Sequence, residues 1–374
     1  MANRLISWSI ISSRVVYSMY WVFLSPAYIL FQASLGFSKY QLGLISWAFV
    51  IGAAAFQLPS GIIAHRIGPQ KVYIVGLIVL SSSSYISAAS WNIYELLISR
   101  VLAGAGAAMF FSSAGYVLSI LNKQKVGLYM GIYNAAFSIG AALGLFWSVI
   151  YGIMYWRYAI VLAGIIGVAL SAVDYITVKG VSFNEKESVS WRIDRKVLSF
   201  ALMLSGFWGT FYAAETLLPS YFEIIGRSSI SASGIYTSVL LLFSIPGGIA
   251  TLAYDRTKRK TLFLFLSVAM GGIGFALMAN QQLLLAGMAL IGFFNEVAFS
   301  ALYAISLEMS SFNRGAMTLA FVNFINMALG MWISLVFSYV MAISPYILWI
   351  LMAVITIVPA LPMLLMGRKG NTRK

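Results

Sequence analysis

The feature that most constrains the fold of this chain is a series of long apolar runs separated by short polar gaps. A helix needs about 20 largely apolar residues to cross a bilayer, and the chain supplies such segments one after another. They cover residues 8–33, 41–64, 71–91, 94–119, 127–152, 156–178, 197–224, 231–254, 261–280, 283–308, 315–341 and 345–366, and we number them spans 1 to 12. The sequence therefore predicts an all-α integral membrane protein with twelve transmembrane helices.

Composition supports the same prediction. The chain is 61% hydrophobic and 9% charged, whereas soluble domains carry roughly a quarter charged residues. Its net charge of +14 would suggest nucleic acid if the basic residues formed a patch, but they lie in the short gaps between spans. We therefore expect the lipid bilayer, and no nucleic acid, as a partner. There is no Cys and a single His, His65, so Cys-ligated and multi-His metal sites are excluded and no metal or cofactor is expected.

The distribution of basic residues predicts the topology. The gaps after odd-numbered spans hold three basic residues, Lys39, Arg157 and Arg227, while nineteen lie on the other side. Cytoplasmic loops carry the excess of Lys and Arg, so both termini are predicted to be cytoplasmic in a multi-pass protein of the cell membrane. Arg14 interrupts the first apolar run, so we interpret that run as an uncleaved span and not as a signal peptide.

The two halves of the chain show weak internal similarity, as transporters built from repeats do. The matches are Pro26-Ala-Tyr28 with Pro219-Ser-Tyr221, Gly36-x-Ser38 with Gly226-x-Ser228, and Arg66 with Arg256. The long polar stretch between spans 6 and 7 reads as a linker. The predicted domains are an N-terminal six-helix bundle (1–178), a cytoplasmic linker (179–196) and a C-terminal six-helix bundle (197–374).

The loop between spans 2 and 3 carries the sequence Gly61-Ile-Ile-Ala-His65-Arg66-Ile-Gly68. It resembles the signature loop of the major facilitator superfamily, Gly-x-x-x-Asp-Arg-x-Gly. Further elements resemble the same family: Arg100-Val-Leu-Ala-Gly104-Ala-Gly106 in span 4, Trp156-Arg157-Tyr158 before span 6, and Tyr254-Asp255-Arg256 between spans 8 and 9. The resemblance implies two pseudo-symmetric six-helix bundles and a transporter, not an enzyme, with Gly61, His65, Arg66, Gly68, Asp255 and Arg256 in gating loops.

The sequence departs from the family pattern at two places. His65 stands where the family has an Asp that latches neighbouring helix ends, so the latch is expected to rest mainly on Asp255. Span 5 contains Gly140 and Gly144 but lacks the Gly-Pro pair of many drug/proton antiporters. These glycines are expected to allow close helix packing. The missing pair favours metabolite uptake over drug efflux.

Charged groups inside a span cost about 2.5–3.5 kcal/mol at the helix centre, so they need a water-filled cavity or a partner. Four such groups, Arg14, Arg100, Glu215 and Glu296, lie on spans 1, 4, 7 and 10, which line the central cavity in the family the chain resembles. Steps of three and four residues add further side chains to the same faces. The predicted substrate and ion cavity comprises Arg14, Tyr17, Trp21, Arg100, Trp208, Tyr212, Glu215, Asn295, Glu296, Asn323 and Asn326.

Each candidate has an alternative role. The aromatic residues of span 1 could belong to an interfacial belt, which fits Tyr28 better than Tyr17. Glu296 or Glu215 is predicted to bind a coupling proton, or else to form a structural hydrogen bond or ion pair. Arg14 suggests an anionic substrate, because Arg recognises carboxylate and phosphate with two prongs, but it could instead extend towards the cytoplasm.

The function predicted from these features is secondary active transport of a small solute by alternating access. Proton-coupled uptake of a metabolite, which the arginines suggest is anionic, is favoured, and the protein is expected to act as a monomer. Proton-coupled efflux of amphipathic compounds is the alternative within the class. A non-transporting membrane sensor is the alternative from another class. An intramembrane enzyme is disfavoured, because without Cys and with a single His it would rest on Ser or carboxylates alone. Primary active transport is disfavoured, because no Walker loop is present.

Overall fold

The computed structural model describes residues 2–122, 126–179, 194–226, 229–250, 254, 257–309 and 315–368. All regular secondary structure in these ranges is helical, and twelve helical segments are long and apolar enough to cross a membrane. This confirms the twelve predicted spans. Their bounds are Asn3–Leu35, Lys39–Ala64, Pro69–Ala89, Ile93–Leu118, Ala135–Ile153, Trp156–Val178, Arg195–Ile224, Ile230–Ala250, Lys260–Met278, Leu284–Ser306, Ala320–Ile343 and Pro345–Met366.

The individual helices divide several of these spans. The α-helices are Ala2–Val22, Tyr28–Leu35, Leu42–Ile67, Pro69–Ala89, Ile93–Leu121, Val126–Ile153, Trp156–Val178, Arg195–Ile224, Ile230–Leu242, Ser244–Ala250, Lys260–Met278, Leu284–Met309, Gly315–Gly330, Ile333–Ile343, Pro345–Ile357 and Met363–Arg368. Short 3-10 turns occur at Ser25–Ala27, Lys39–Gln41 and Val358–Ala360.

Proline accounts for two of the breaks. Span 1 is interrupted by the turn that contains Pro26, and span 12 by the turn that contains Pro359. A proline lacks the backbone N–H and its ring clashes with the preceding turn, so it ends or kinks a helix. Pro219, the sequence match of Pro26, instead lies inside the continuous helix Arg195–Ile224. The two matched prolines therefore have different local structures.

The matched glycines after spans 1 and 7 share one backbone conformation. Gly36 has a φ of 71° and Gly226 a φ of 69°, both in the left-handed region that glycine adopts without steric cost. Tyr28 and Tyr221, also matched in the sequence, are both buried. These features agree with the predicted internal repeat.

Contacts between Cα atoms divide the chain into two compact units. The first comprises Met1–Lys186 and Leu218–Ser238, and the second comprises Glu187–Leu217 and Val239–Lys374. The two six-helix bundles predicted from the sequence, which end at residue 178 and begin at residue 197, stay a prediction.

In the first unit, small residues bring helices into backbone contact. A Cβ atom at Gly140 would collide with the carbonyl oxygen of Val15, and one at Gly144 would lie 2.6 Å from that of Met19. Spans 1 and 5 can therefore approach this closely only because these positions are glycine. This confirms the packing role that the sequence predicted for Gly140 and Gly144.

In the second unit, glycines likewise allow spans 7 and 11 to come into backbone contact. A Cβ atom at Gly209 would lie 2.6 Å from the Cα of Gly330. One residue further along span 7, the hydroxyls of Thr210 and Thr356 are 2.8 Å apart and join spans 7 and 12 by a hydrogen bond. Both residues are buried, so the bond satisfies groups that would otherwise be costly inside the membrane.

Candidate functional site

Arg14 lies in the first helix of span 1 and is 4% exposed. Its guanidinium carbon is 4.5 Å from the ring centroids of Tyr17 and Tyr133, 4.8 Å from that of Phe111 and 4.9 Å from that of Phe137. The four rings come from spans 1, 4 and 5, and we call them the ring cage. Cation–π contacts of this kind contribute about 0.5–2 kcal/mol each, so the cage stabilises the buried charge.

Two nitrogens of Arg14 are nevertheless unsatisfied. Nε and Nη1 are buried and have no hydrogen-bond partner within the residues that the structure describes. Buried polar groups are hydrogen-bonded in the large majority of cases, and each exception calls for an explanation.

An aromatic series connects Arg14 to Arg100. The rings of Tyr17 and Trp21 are 6.1 Å apart, and those of Trp21 and Phe49 are 4.8 Å apart. The Arg100 guanidinium lies 4.4 Å from the Phe49 centroid, and its Nη1 donates to the Tyr20 carbonyl at 3.4 Å. The structure thus brings together the residues predicted on spans 1 and 4. All are buried inside the first unit.

Tyr28 belongs to this buried set and not to an interfacial belt. It is 1% exposed, and its hydroxyl is 3.1 Å from Ser46 Oγ. The interfacial alternative considered for Tyr28 is therefore wrong in this structure.

Asp174 of span 6 is a fully buried carboxylate with neutral partners. Ser9 Oγ donates to Oδ1 at 2.5 Å, and Ser13 Oγ donates to Oδ2 at 2.7 Å. The site predicted from the sequence included neither Asp174 nor the two serines. The spacing of Ser9 and Ser13, one helical turn apart on one face, was the available signal.

In the second unit, Glu215 lies on span 7 and is 2% exposed. Its Oε1 is buried without a hydrogen-bond partner among the described residues. On the same helix, Trp208 stacks on Tyr212 with centroids 5.4 Å apart and an interplanar angle of 18°. Steps of four and three residues place all three on one face, as the sequence predicted.

Span 10 places Glu296 and Asn295 side by side in the sequence but in different settings. Glu296 is partly exposed, and its Oε1 accepts a hydrogen bond from Ser300 Oγ at 3.3 Å. Asn295 is 9% exposed, and its Oδ1 is buried without a partner in the described part of the chain.

The two asparagines of span 11 also differ. Asn323 Oδ1 accepts a 2.6 Å hydrogen bond from the hydroxyl of Tyr303 on span 10. Asn326 is fully buried, and neither Oδ1 nor Nδ2 has a partner among the described residues. The second unit therefore collects unsatisfied polar atoms at Glu215, Asn295 and Asn326, which can donate or accept hydrogen bonds.

A comparison with protein-family models decides the family. The model described as Major Facilitator Superfamily matches residues 9–334. The chain belongs to the major facilitator superfamily. This superfamily consists of multi-pass membrane transporters, which are not enzymes, and the predicted fold and family are confirmed.

Curated relatives within the superfamily differ in what their names describe. An uncharacterized MFS-type transporter of Methanocaldococcus jannaschii is 26% identical over 179 residues, which is 47% of this chain and 46% of the relative. The "Probable L-galactonate transporter" of Escherichia coli is 25% identical over 249 residues, 60% of this chain and 55% of the relative. The methylenomycin A resistance protein of Bacillus subtilis is 32% identical over 111 residues, 28% of this chain and 24% of the relative. The matches thus span about half the length of the first two relatives.

Solved structures share the superfamily fold over nearly the whole chain. The POT family transporter PepTSo superposes with a TM-score of 0.81 at 11% identity and covers 99% of both chains. A D-xylose-proton symporter superposes with a TM-score of 0.76 at 13% identity and covers 96% of both chains. At these identities the likeness concerns the fold alone.

The residues of the superfamily signature loop lie at a helix junction. His65 and Arg66 are in the last turn of the helix Leu42–Ile67, and the next helix begins at Pro69. Gly68 joins them with a φ of 96°, which explains the glycine at this position. Arg66 and Gly61 are exposed, and the side chain of His65 lies outside the described part of the structure.

The second copy of the loop is described only in part. Asp255 and Arg256 lie outside the described residues, so the predicted latch at Asp255 stays a prediction. Beside them, Tyr254 donates to Glu308 Oε2 at 3.1 Å, and Lys260 pairs with Glu308 Oε1. This cluster joins the end of span 10 to the start of span 9, and sequence reasoning did not find it.

Proposed function

We propose that this superfamily member is a proton-coupled secondary carrier that takes up a small metabolite by alternating access. It would act as a monomer in the cell membrane with both termini in the cytoplasm. The observation that carries the proton coupling is Glu215, a carboxyl group buried in a span with an unsatisfied Oε1. An ionised carboxylate in such a setting is very costly without a partner, whereas a protonated one is not. Glu296, which accepts a hydrogen bond from Ser300, is the second candidate.

Polar side chains of the second unit support uptake of a metabolite more strongly than the names of the relatives do. Asn295, Asn326 and Tyr303 offer hydrogen bonds suited to hydroxyl-bearing solutes, and the relative named for L-galactonate agrees with this class. The nineteen-to-three distribution of basic residues supports the proposed orientation.

Counterflow with a panel of labelled compounds in proteoliposomes would first identify a substrate. Accumulation of that substrate is then measured under an imposed proton gradient for the wild type, Glu215→Gln and Glu296→Gln. We expect at least one glutamine variant to retain counterflow and lose gradient-driven accumulation. Glu95→Gln is the matched control, because Glu95 caps the start of span 4 through Asn92 and the Trp91 N–H.

Two results would contradict the proposal. If both glutamine variants accumulate substrate as the wild type does, neither carboxyl carries the coupling proton. If no solute equilibrates across the liposome while ligands still bind, the protein is a sensor.

Efflux of amphipathic compounds is the second candidate, because the buried aromatic series from Tyr17 to Phe49 could bind apolar rings and one relative is named for resistance. The direction of proton-driven transport in oriented vesicles separates the two. Uptake requires solute and proton to move together, and efflux requires them to move in opposite directions.

A further inference from the structure

Arg14 is a buried cation for which the described residues supply no anion. It is 4% exposed, and two of its nitrogens have no acceptor among the residues that the structure describes. An ion removed from water carries a penalty of several kcal/mol unless a counter-charge and hydrogen bonds compensate it. The four rings lower this cost but leave Nε and Nη1 without an acceptor among the described residues.

The acid that bonds to the neighbour of Arg14 already has hydroxyl partners. Asp174 is bonded to Ser13, the residue before Arg14, and to Ser9. Both of its oxygens thus accept hydroxyl donors, and no ion pair joins it to Arg14 among the described residues. The first unit therefore holds a buried guanidinium and a buried carboxylate that do not neutralise each other.

Two N–H-bearing nitrogens of Arg14 are left to bind a ligand. The four ring centroids lie within 4.9 Å of the guanidinium carbon, and the N–H groups of a guanidinium point outward in its plane. Nε and Nη1 are in-plane donors that lack acceptors among the described residues. Two oxygens of one carboxylate match in-plane guanidinium donors.

We propose that Arg14 and its ring cage form the binding site for the carboxylate of an organic monocarboxylate. This assignment extends the proposed transport function. It rests on that function only for the statement that the bound carboxylate is the transported solute. A monoanion is the fitting class because Arg14 supplies one positive charge. Arg100, the other buried arginine of the unit, already donates to the Tyr20 carbonyl. A phosphate dianion would leave a second negative charge without a cation.

The test measures ligand binding to purified full-length protein, independently of transport. Acetate, benzoate and L-galactonate are titrated by calorimetry, with benzamide as the uncharged control and inorganic phosphate as the competing anion. We expect at least one carboxylate to bind the wild type and benzamide not to bind. Arg14→Lys keeps the charge but loses the planar fork, so its Kd should rise about 10- to 100-fold, the effect of losing a charged hydrogen bond.

Arg157→Lys is the matched control. Arg157 also lies over two rings, those of Trp91 and Trp156, but its Nη1 donates to the Ala88 carbonyl. We expect this variant to bind carboxylate with wild-type affinity. Arg14→Met serves as a second variant that removes the charge, and Arg14→Lys keeps the test decisive if the Met variant does not fold.

Three results would overturn the assignment: none of the three carboxylates binds, they bind Arg14→Lys as tightly as the wild type, or phosphate binds tighter than every carboxylate. Transport is assessed separately with the labelled carboxylate in proteoliposomes. Arg14-dependent binding without equilibration would leave the site standing and reject the carrier. Transport of an uncharged solute that Arg14→Lys leaves unchanged would leave the carrier standing and reject the site.

Discussion

The two units carry opposite charges on similar aromatic faces. In span 1, Arg14 precedes Tyr17 and Trp21, whereas in span 7, Glu215 follows Trp208 and Tyr212. Arg14 is surrounded by four rings, and Glu215 has an unsatisfied oxygen. The repeated fold has therefore kept the helical scaffold and the aromatic stripe while the ionisable group changed sign and position. Such a division suits a carrier whose cargo and coupling ion need different chemistry.

A second contrast lies within the first unit. Within the described part of the chain, two nitrogens of Arg14 lack hydrogen-bond partners, but Asp174 has a hydroxyl donor on each oxygen. A satisfied buried charge contributes to the stability of the fold, whereas an unsatisfied one lowers stability and is commonly kept for function. The two residues should therefore respond differently to substitution.

The largest expected effect comes from reversing the charge in the ring cage. Arg14→Glu would place an anion against four aromatic rings, whose faces carry negative charge density. The new carboxylate would also follow Ser13, whose hydroxyl already donates to Asp174. We expect a loss of about 3–5 kcal/mol in the free energy of unfolding, as for other uncompensated buried charges. Unfolding in mixed micelles measures it.

Arg14→Met is the control for this prediction. Replacing a buried charge by an apolar side chain of similar length is often neutral or stabilising, so its unfolding free energy should stay close to that of the wild type. A loss as large as that of Arg14→Glu would mean that the cation itself holds spans 1, 4 and 5 together.

The next effect in size tests the satisfied charge. Asp174→Ala removes the acceptor of two buried hydroxyls and the join between spans 1 and 6. Hydrogen bonds to charged groups contribute about 1.5–3 kcal/mol each, and removing the buried charge offsets part of that loss, so we expect a net loss of about 2–4 kcal/mol. A double-mutant cycle with Ser13→Ala isolates the bond. Additive losses in the cycle would show that Ser13 and Asp174 do not interact.

These contrasts also show what the sequence could and could not predict. The twelve spans were predictable because an apolar run of about 20 residues has few alternatives in a membrane. The matched φ values of Gly36 and Gly226 follow from a short glycine motif that appears twice. The faces carrying Arg14 and Glu215 follow from helical spacing alone.

The partners of these residues could not be predicted in the same way. Ser9 and Asp174 are 165 residues apart, and the ring cage takes residues from three spans. These contacts depend on how each helix is rotated about its axis and on close approaches between helices, such as that of Gly140 to Val15. Spacing likewise gives Asn323 and Asn326 one face, yet Tyr303 satisfies only Asn323 in the described structure.

A smaller effect should separate those two asparagines. Tyr303→Phe leaves Asn323 Oδ1 without its 2.6 Å donor, and we expect a loss of about 1 kcal/mol. Asn326→Leu replaces a fully buried amide that has no partner in the described structure, so it should be neutral or stabilising. Thermal unfolding in detergent measures both. Equal losses would indicate that Asn326 has a partner of its own.

The smallest expected effect on stability returns to the opposite charges. Glu215→Gln keeps the volume of the side chain and removes a carboxyl group whose Oε1 has no donor, so stability should change by less than about 1 kcal/mol. Asp174→Asn, also a neutral isostere, should destabilise by more, because its amide nitrogen cannot accept from a serine. Thermal unfolding of the pair side by side measures the difference. If Glu215→Gln destabilises as much as Asp174→Asn, then Glu215 is a structural group like Asp174, and the second unit would lose its best candidate for the coupling proton.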